Sequence, residues 1–319
     1  MTPYYHCIGR CVRRAWLCGV DDATGANYEH RRAWMAERLA VLANSFAIQI
    51  SGYALMSNHY HLVVKICPHR VDSWTDREVY ERWTAIYSGP PIVHRLMQGA
   101  NLSIADIELA KSHLQSWRER LCSLSWFMRS LNEHIARMAN AEDGCKGHFW
   151  EARFKSQALL DESALLAAMT YVDLNPLRAG MANSIPESNF TSAQQRWKHW
   201  TQTGLEVETS IPLQKMNDAI AEKDGETLPF STEDYLELLD VTGRVIAPGK
   251  RGIINISTPR LLKTSHLDWR AWKYAVTPQA FRNTTAIGHP DQLIRLAKQT
   301  GRRWLQQTPA FARMYRTAD

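Results

Sequence analysis

A hairpin pattern in residues 46–66 constrains the fold more than any other part of the sequence. The runs Phe46 to Met56 (FAIQISGYALM) and His59 to Ile66 (HYHLVVKI) are rich in β-branched and aromatic residues, and only Ser57 and Asn58 separate them. Two such runs joined by a two-residue turn predict a pair of antiparallel strands. The fold is therefore expected to contain a sheet with this hairpin in it.

The flanking segments predict the remaining strands and helices from their hydrophobic periodicity. In chain order, the predicted elements are strand 5–18, helix 28–44, strands 46–56 and 59–66, a helical insert over 68–122, helix 125–140, strand 154–160 and helix 162–174. This order predicts an α+β fold, a ferredoxin-like (RRM-like) antiparallel sheet with helices packed on one face. A boundary at Pro186 to Ser192 separates a domain over 1–192 from a C-terminal extension over 193–319, which is a candidate for DNA binding.

The charge balance favours a polyanion as partner. Lys and Arg number 38 against 32 Asp and Glu, which gives a formal net charge of +6. Several of the 12 tryptophans lie among cations, as in Arg13-Arg14-Ala15-Trp16 and Trp150 to Lys155. Aromatic side chains interleaved with Arg suit single-stranded nucleic acid, whose bases stack and whose phosphates pair with cations. No apolar run reaches the length of a membrane span, and the first residues lack a signal-peptide pattern, so we expect a cytoplasmic protein without a membrane partner.

The first candidate site is the pair His59 and His61 at the start of the third predicted strand. Because successive side chains of a strand alternate in direction, the two imidazoles share one face and Tyr60 takes the other. Two residues at i and i+2 have Cα atoms about 6–7 Å apart, which allows both rings to bind one divalent ion. The alternative is a pair of ordinary strand histidines beside a turn.

The second candidate is Tyr171 in the predicted helix MTYVDLNPLRAG. Asn175 and Arg178 follow at i+4 and i+7 and would place an oxygen donor and a cation near the phenol. A phenol is a poor nucleophile at its ordinary pKa near 10, so a neighbouring metal and cation would favour attack by the phenolate. The alternative is a tyrosine at a helix edge, with Asn175 capping a short turn that begins at Pro176.

The two sites together resemble those of the HUH (His-hydrophobic-His) nucleases, and most closely the single-tyrosine transposases of the insertion-sequence type and the REP-associated tyrosine transposases. The segments that carry this resemblance are Met56 to Val64 (MSNHYHLVV), Gly147 to Ser156 (GHFWEARFKS) and Tyr171 to Gly180 (YVDLNPLRAG). The resemblance covers about residues 4–192. It implies that His59 and His61 bind Mg²⁺ or Mn²⁺, that Asn175 completes the metal site, and that Tyr171 is the nucleophile.

The resemblance also implies a substrate and a reaction. The substrate is single-stranded DNA with a palindromic hairpin, and the reaction passes through a 5′-phosphotyrosine intermediate. The residues expected to contact DNA are Arg13, Arg14, Arg153, Lys155 and Arg178. The helical insert departs from the compact insertion-sequence enzymes, which are dimers, so a monomer and a homodimer both stay open.

Two other functions compete with this one. A non-catalytic nucleic-acid-binding module with an RRM-like sheet would use the same cations and aromatic rings, but the aromatic-rich RRM strand is absent from the sequence. A metal-dependent hydrolase would use water as the nucleophile and would need acidic ligands near the histidines, whereas residues 51–66 contain none. A covalent protein–DNA adduct distinguishes the first function from both alternatives.

Overall fold

The computed structural model describes residues 2–12, 17–21, 24–201, 211–218, 226–246 and 258–315. The strands are β1 (Tyr4–Arg10), β2 (Ile48–Leu55), β3 (His59–Ile66), β4 (Lys155–Leu159) and β5 (Ala286–Ile287). The helices of the first 180 residues are α1 (Arg31–Ser45), α2 (Pro68–Ser73), α3 (Asp76–Thr84), α4 (Pro91–Met97), α5 (Ile104–Leu121), α6 (Leu124–Glu142), α7 (Glu162–Asp173) and α8 (Asn175–Arg178). Those that follow are α9 (Ser192–Thr201), α10 (Thr232–Ile246), α11 (Arg260–Thr264), α12 (Trp269–Ala275), a 3₁₀ helix (Pro278–Phe281), α13 (Pro290–Gln299) and α14 (Pro309–Met314).

The strands form one sheet in the order β2-β3-β1-β4-β5. The pairs β2–β3, β3–β1 and β1–β4 are antiparallel, and the two-residue β5 runs parallel to β4. The first four strands have the order expected for a ferredoxin-like sheet, and the α+β class is confirmed. The hairpin lies where the sequence predicts it, because β3 begins at His59 and pairs with β2 across the Ser57-Asn58 turn.

One face of the sheet is covered by α1, which contacts β2 and packs against α6 in the same buried cluster. The side chains of Tyr60, Leu62 and Val64 point into this core, where they meet Leu39 and Leu42 of α1. The helical insert extends the same core, because Trp83 of α3 stacks on Trp117 of α5 with ring centroids 5.2 Å apart.

The opposite face is covered by α7, which contacts β2, β3 and β4. Val63 and Ala54 point into this second core. Helices therefore cover both faces rather than one face alone, which the sequence pattern did not indicate. The segment after residue 192 packs on α7 as a further layer, so that every residue of α7 from Ala164 to Asp173 is buried.

The extension shares the core that α7 forms with the sheet. Leu238 and Leu239 of α10, Trp272 of α12 and Phe311 of α14 belong to the same cluster of buried side chains as Val63. The extension also supplies β5. The division at residue 192 stays a prediction, and in the described ranges the two parts are joined by a continuous apolar core. No helix within those ranges has the length and apolarity to cross a membrane.

A buried polar cluster links α7 to the extension. Asp173 is fully buried and accepts hydrogen bonds from the Ser192 hydroxyl, from the Ala193 N–H at 2.9 Å and from the Tyr235 hydroxyl at 2.6 Å. Burial raises the pKa of Asp173, whereas Arg196 and these hydrogen bonds lower it. The carboxylate thus holds the start of α9 and the first turn of α10 against the end of α7.

We expect Tyr235→Phe to lower the free energy of unfolding by about 1–3 kcal/mol, because it removes a hydrogen bond to a buried carboxylate without changing the packing of the ring. Urea unfolding followed by circular dichroism measures the difference. Tyr274→Phe is the matched control, because Tyr274 is 57% exposed and should give a free energy close to that of the unchanged protein. Equal losses in the two variants would contradict the role given to the Asp173 cluster.

Candidate active site

The two predicted histidines lie on the face of the sheet that α7 covers. His59 and His61 have ring centroids 5.0 Å apart, and Tyr60 points to the opposite core. The alternation expected from the sequence therefore holds in the structure. His61 is buried, whereas His59 lies at the edge of the covered area and is half-buried.

A third histidine, His6 of β1, adjoins His61. The Nε2 atom of His6 is 2.9 Å from Nδ1 of His61, and the Nδ1 atom of His6 is 2.9 Å from Oε1 of Gln157 on β4. The Nε2 atom of His61 is buried and has no hydrogen-bond partner. An unpaired nitrogen in a buried site is costly unless another group binds it, so this atom is the clearest sign of an absent ligand.

Burial keeps the three imidazoles in their neutral form. It lowers the pKa of His6 to about 4 and, together with the charge of Arg10, lowers the pKa of His59 to about 4. The pKa of His61 lies well below its ordinary value, first because of burial and then because of the nearby His6, His59 and Arg178. Neutral imidazole is the form that binds a metal ion.

Tyr171 lies on α7 beside these rings. Its ring centroid is 5.4 Å from that of His61 and 5.9 Å from that of His6. Phe281 of the extension stacks on the other side of Tyr171, with centroids 4.4 Å apart. Tyr171 is therefore only 7% exposed. The structure thus brings the predicted nucleophile and the predicted ligand His61 together.

Asn175 and Arg178 lie close to Tyr171, as their spacing predicts. The Nδ2 atom of Asn175 donates to the Tyr171 carbonyl at 3.2 Å, which leaves Oδ1 as the atom that could bind a cation. The Arg178 guanidinium lies 4.9 Å from the centroid of the Tyr171 ring and donates to the Val276 carbonyl at 2.7 Å. Burial raises the pKa of Tyr171, while the charge of Arg178, a hydrogen bond from Asn175 and the charge of Arg282 lower it.

Imidazole nitrogens and an amide oxygen are atoms that bind divalent cations, but the predicted ligands include none of the usual carboxylates. Within the described ranges no group of three or more His, Cys, Asp or Glu side chains has the arrangement of a metal site. The atoms that remain are two imidazole nitrogens, of His59 and His61, and the amide oxygen of Asn175. The buried, unpaired Nε2 of His61 is the observation that favours a bound cation here.

Of the five predicted DNA-binding cations, two are exposed, one is half-buried and two lie outside the described residues. Lys155 is exposed at the start of β4 and lies opposite Ile8, which in turn lies opposite His61. Arg153 is exposed and donates to the Ser125 hydroxyl at 3.1 Å. Arg178 is packed between Tyr171 and the extension, and Arg13 and Arg14 lie outside the described residues.

Four residues of the site were not identified from the sequence. His6 and Gln157 lie in predicted strands but in none of the motifs, Phe281 lies in a segment without a predicted element, and Arg10 is not among the predicted contacts. Arg10 is exposed, lies opposite His59 in the β1–β3 register and forms an ion pair with Glu151 at 3.9 Å. Strand pairing brings His6, Gln157 and Arg10 to the histidines. Phe281 reaches Tyr171 from a distant 3₁₀ helix, so the pattern of a single segment does not reveal any of the four.

Comparison with known proteins identifies no family for this chain. No protein-family model matches it, and no curated protein is significantly similar in sequence. A structural comparison finds a REP-associated tyrosine transposase bound to a REP hairpin, with 10% sequence identity and a TM-score of 0.35. The similar region covers 66% of this chain and 92% of that one. At this identity and TM-score the similarity supports neither a fold nor a function.

The low pKa of His6 predicts a loss of stability in acid. Because burial lowers this pKa from 6.5 to about 4, the unfolded chain takes up a proton first, and the free energy of unfolding falls as the pH drops below 6.5 toward 4. Between pH 7 and pH 5 we expect His6 to account for about 2 kcal/mol of this fall.

Urea unfolding at the two pH values measures this contribution. His6→Gln should reduce the difference between pH 7 and pH 5, because glutamine does not titrate. The exposed His148 provides the matched control, His148→Gln, which should keep the full difference. A difference that is the same in His6→Gln and in the unchanged protein would show that the expected contribution of His6 is absent.

Proposed function

We propose that the protein cleaves and rejoins single-stranded DNA, with Tyr171 as the nucleophile. The observation that supports this proposal most directly is the contact between a tyrosine ring and a histidine ring over one face of the sheet. The ring of Tyr171 lies 5.4 Å from that of His61, whose Nε2 atom is buried without a partner. This contact would let a cation bound at Nε2 and the phenol of Tyr171 act on the same phosphate.

In the proposed reaction the hydroxyl oxygen of Tyr171 attacks the phosphorus atom of a phosphodiester. The bond between phosphorus and the 3′ oxygen of the preceding nucleotide breaks, and a proton passes overall from the phenol to that departing oxygen. The products are a 5′-phosphotyrosine and a free 3′-hydroxyl. Attack of a 3′-hydroxyl on the phosphotyrosine reverses the step and rejoins or transfers the strand without an external energy source.

The proposed cofactor is Mg²⁺ or Mn²⁺, held by His59, His61 and Asn175. Such an ion supplies charge neutralisation at the phosphate under attack. Arg178 acts on the nucleophile itself, because a positive charge 4.9 Å from the ring favours the phenolate over the phenol. The neutral state of His59 and His61 leaves each of these rings a nitrogen lone pair for the ion at neutral pH.

The proposed substrate is a DNA hairpin whose single-stranded part passes the exposed edge of the site. Arg10 and Lys155 are exposed, and in the strand register they occupy the same face as His59 and His61. Cations at this position can pair with phosphates on either side of the cleaved bond. The hairpin itself comes from the resemblance of the sequence motifs, and Arg153 is a further proposed contact.

The decisive test is formation of a covalent adduct. We expect Tyr171→Phe to bind a hairpin oligonucleotide normally and to form no adduct, because phenylalanine keeps the stacking on Phe281 and lacks the attacking oxygen. The adduct is detected by denaturing gel electrophoresis with 3′-end-labelled DNA and Mn²⁺, and mass spectrometry of the peptide identifies the tyrosine. Tyr274→Phe is the control and should form the adduct.

Three results would oppose the proposal. An adduct that persists in Tyr171→Phe, or that maps to a different tyrosine, would remove Tyr171 as the nucleophile. Cleavage without any adduct would favour the hydrolase. Hairpin binding without cleavage in Mg²⁺ or Mn²⁺ would favour the non-catalytic nucleic-acid-binding module.

The role of the exposed cations predicts a specific dependence on salt. Each phosphate contact that is lost reduces the slope of log affinity against log salt concentration by about 0.7 for single-stranded DNA. We expect this reduction for Arg10→Gln and for Lys155→Gln, measured by fluorescence anisotropy with a labelled hairpin. Lys111→Gln, at an exposed position of α5 in the helical insert, is the matched control and should keep the slope. If all three variants keep the slope of the unchanged protein, the DNA does not contact Arg10 or Lys155.

A further inference from the structure

A chain of hydrogen bonds begins in the extension and ends at His61. The Nε2 atom of Gln157 lies 2.8 Å from the Phe281 carbonyl, 3.0 Å from the Thr284 carbonyl and 2.7 Å from the Thr284 hydroxyl. Carbonyl oxygens only accept hydrogen bonds, so the atom that faces them must be the NH₂ group of the amide. The carbonyl oxygen of Gln157 therefore faces His6.

This orientation fixes the proton positions on both histidines. The Oε1 atom of Gln157 is an acceptor, so Nδ1 of His6, at 2.9 Å, must carry a proton and donate. The Nε2 atom of a neutral His6 is then an acceptor, and Nδ1 of His61, at 2.9 Å from it, must donate. The single proton of a neutral His61 is thus on Nδ1, and its Nε2 carries a free lone pair.

We propose that Gln157 and His6 are positioning residues that hold His61 in the Nδ1–H tautomer, with the lone pair of Nε2 available to a divalent cation. The ligand role of His61 rests on the proposed function. The tautomer follows from the hydrogen bonds of Gln157 and His6 when both imidazoles are neutral. The Nε2 atom that this chain of bonds leaves free is the same atom that is buried without a partner.

The arrangement has a recognised physical effect. A metal-binding histidine whose second nitrogen donates to a fixed acceptor has a defined tautomer and ring orientation and binds its ion more strongly. Here the acceptor is a second imidazole, and its own proton is fixed by an amide. Both that amide and the carbonyls that orient it are buried, so water does not compete for these hydrogen bonds. The extension therefore contributes to the site through the backbone of Phe281 and Thr284.

Two measurements on the full chain test the proposal. The first is the tautomer of His61 in the metal-free, DNA-free protein, read from two-dimensional ¹H–¹⁵N spectra of the ¹⁵N-histidine-labelled protein, in which His61→Gln identifies the signals. The second is affinity for Mn²⁺, measured by electron paramagnetic resonance. Both are made on the unchanged protein, on His6→Leu and on His6→Gln.

We expect a single Nδ1–H tautomer of His61 in the unchanged protein. His6→Leu removes the acceptor and should give a mixture of tautomers and a loss of Mn²⁺ affinity of about tenfold or more. His6→Gln supplies an amide oxygen near the position of the lost Nε2 and should restore both the tautomer and most of the affinity. Restoration by glutamine separates an effect of hydrogen bonding from an effect of packing.

The proposal is overturned by an Nε2–H tautomer in the unchanged protein, or by Mn²⁺ affinity in folded His6→Leu that equals that of the unchanged protein. If His6→Leu does not fold, the tautomers of His61 in the unchanged protein and in His6→Gln still test the proposal. These readings do not involve cleavage. A correct tautomer with Mn²⁺ binding but no Tyr171 adduct would refute the proposed function and leave the positioning role in place.

Discussion

The antiparallel register between β1 and β3 decides which side chains meet beneath α7. Ile8 lies opposite His61 and His6 lies opposite Val63, so His6 and His61 are diagonal neighbours on one face of the sheet. Diagonal neighbours on adjacent strands are within reach of each other's rings. A shift of one residue would turn the side chains of β1 to the opposite face, where α1 and α6 form an apolar core. The apolar residues on both faces therefore fix the register of the strands, and the register determines which side chains form the site.

Local patterns were enough to predict the elements that carry the two main groups. The hairpin is set by its turn and by alternation along eight residues of β3, and the predicted start of that strand at His59 is confirmed. Asp161 accepts a hydrogen bond from the Ala164 N–H at the start of α7, as an N-cap aspartate should. Because these signals depend on neighbours in sequence, the positions of His59, His61 and Tyr171 followed from the sequence.

The rest of the site depends on contacts between distant parts of the chain, which sequence patterns do not encode. His6 adjoins His61 through strand pairing, and Phe281 reaches Tyr171 from a segment about one hundred residues further along the sequence. The complete burial of α7 has the same origin, because an amphipathic helix at a surface and a helix covered by an additional layer can share one sequence pattern. The extension, for which the sequence predicts no individual elements, supplies that layer.

Burial has opposite consequences for the two kinds of group in the site. Loss of water favours the neutral form of a side chain, which suits an imidazole that must keep a lone pair but opposes ionisation of a phenol. The same desolvation therefore lowers the pKa of His61 and raises that of Tyr171. Arg178 reduces this conflict, because a nearby positive charge lowers both pKa values, which disfavours protonation of His61 and favours the phenolate of Tyr171. One half-buried cation, which donates to the Val276 carbonyl of the extension, thus shifts both groups toward the states that the proposed attack beside a metal ion requires.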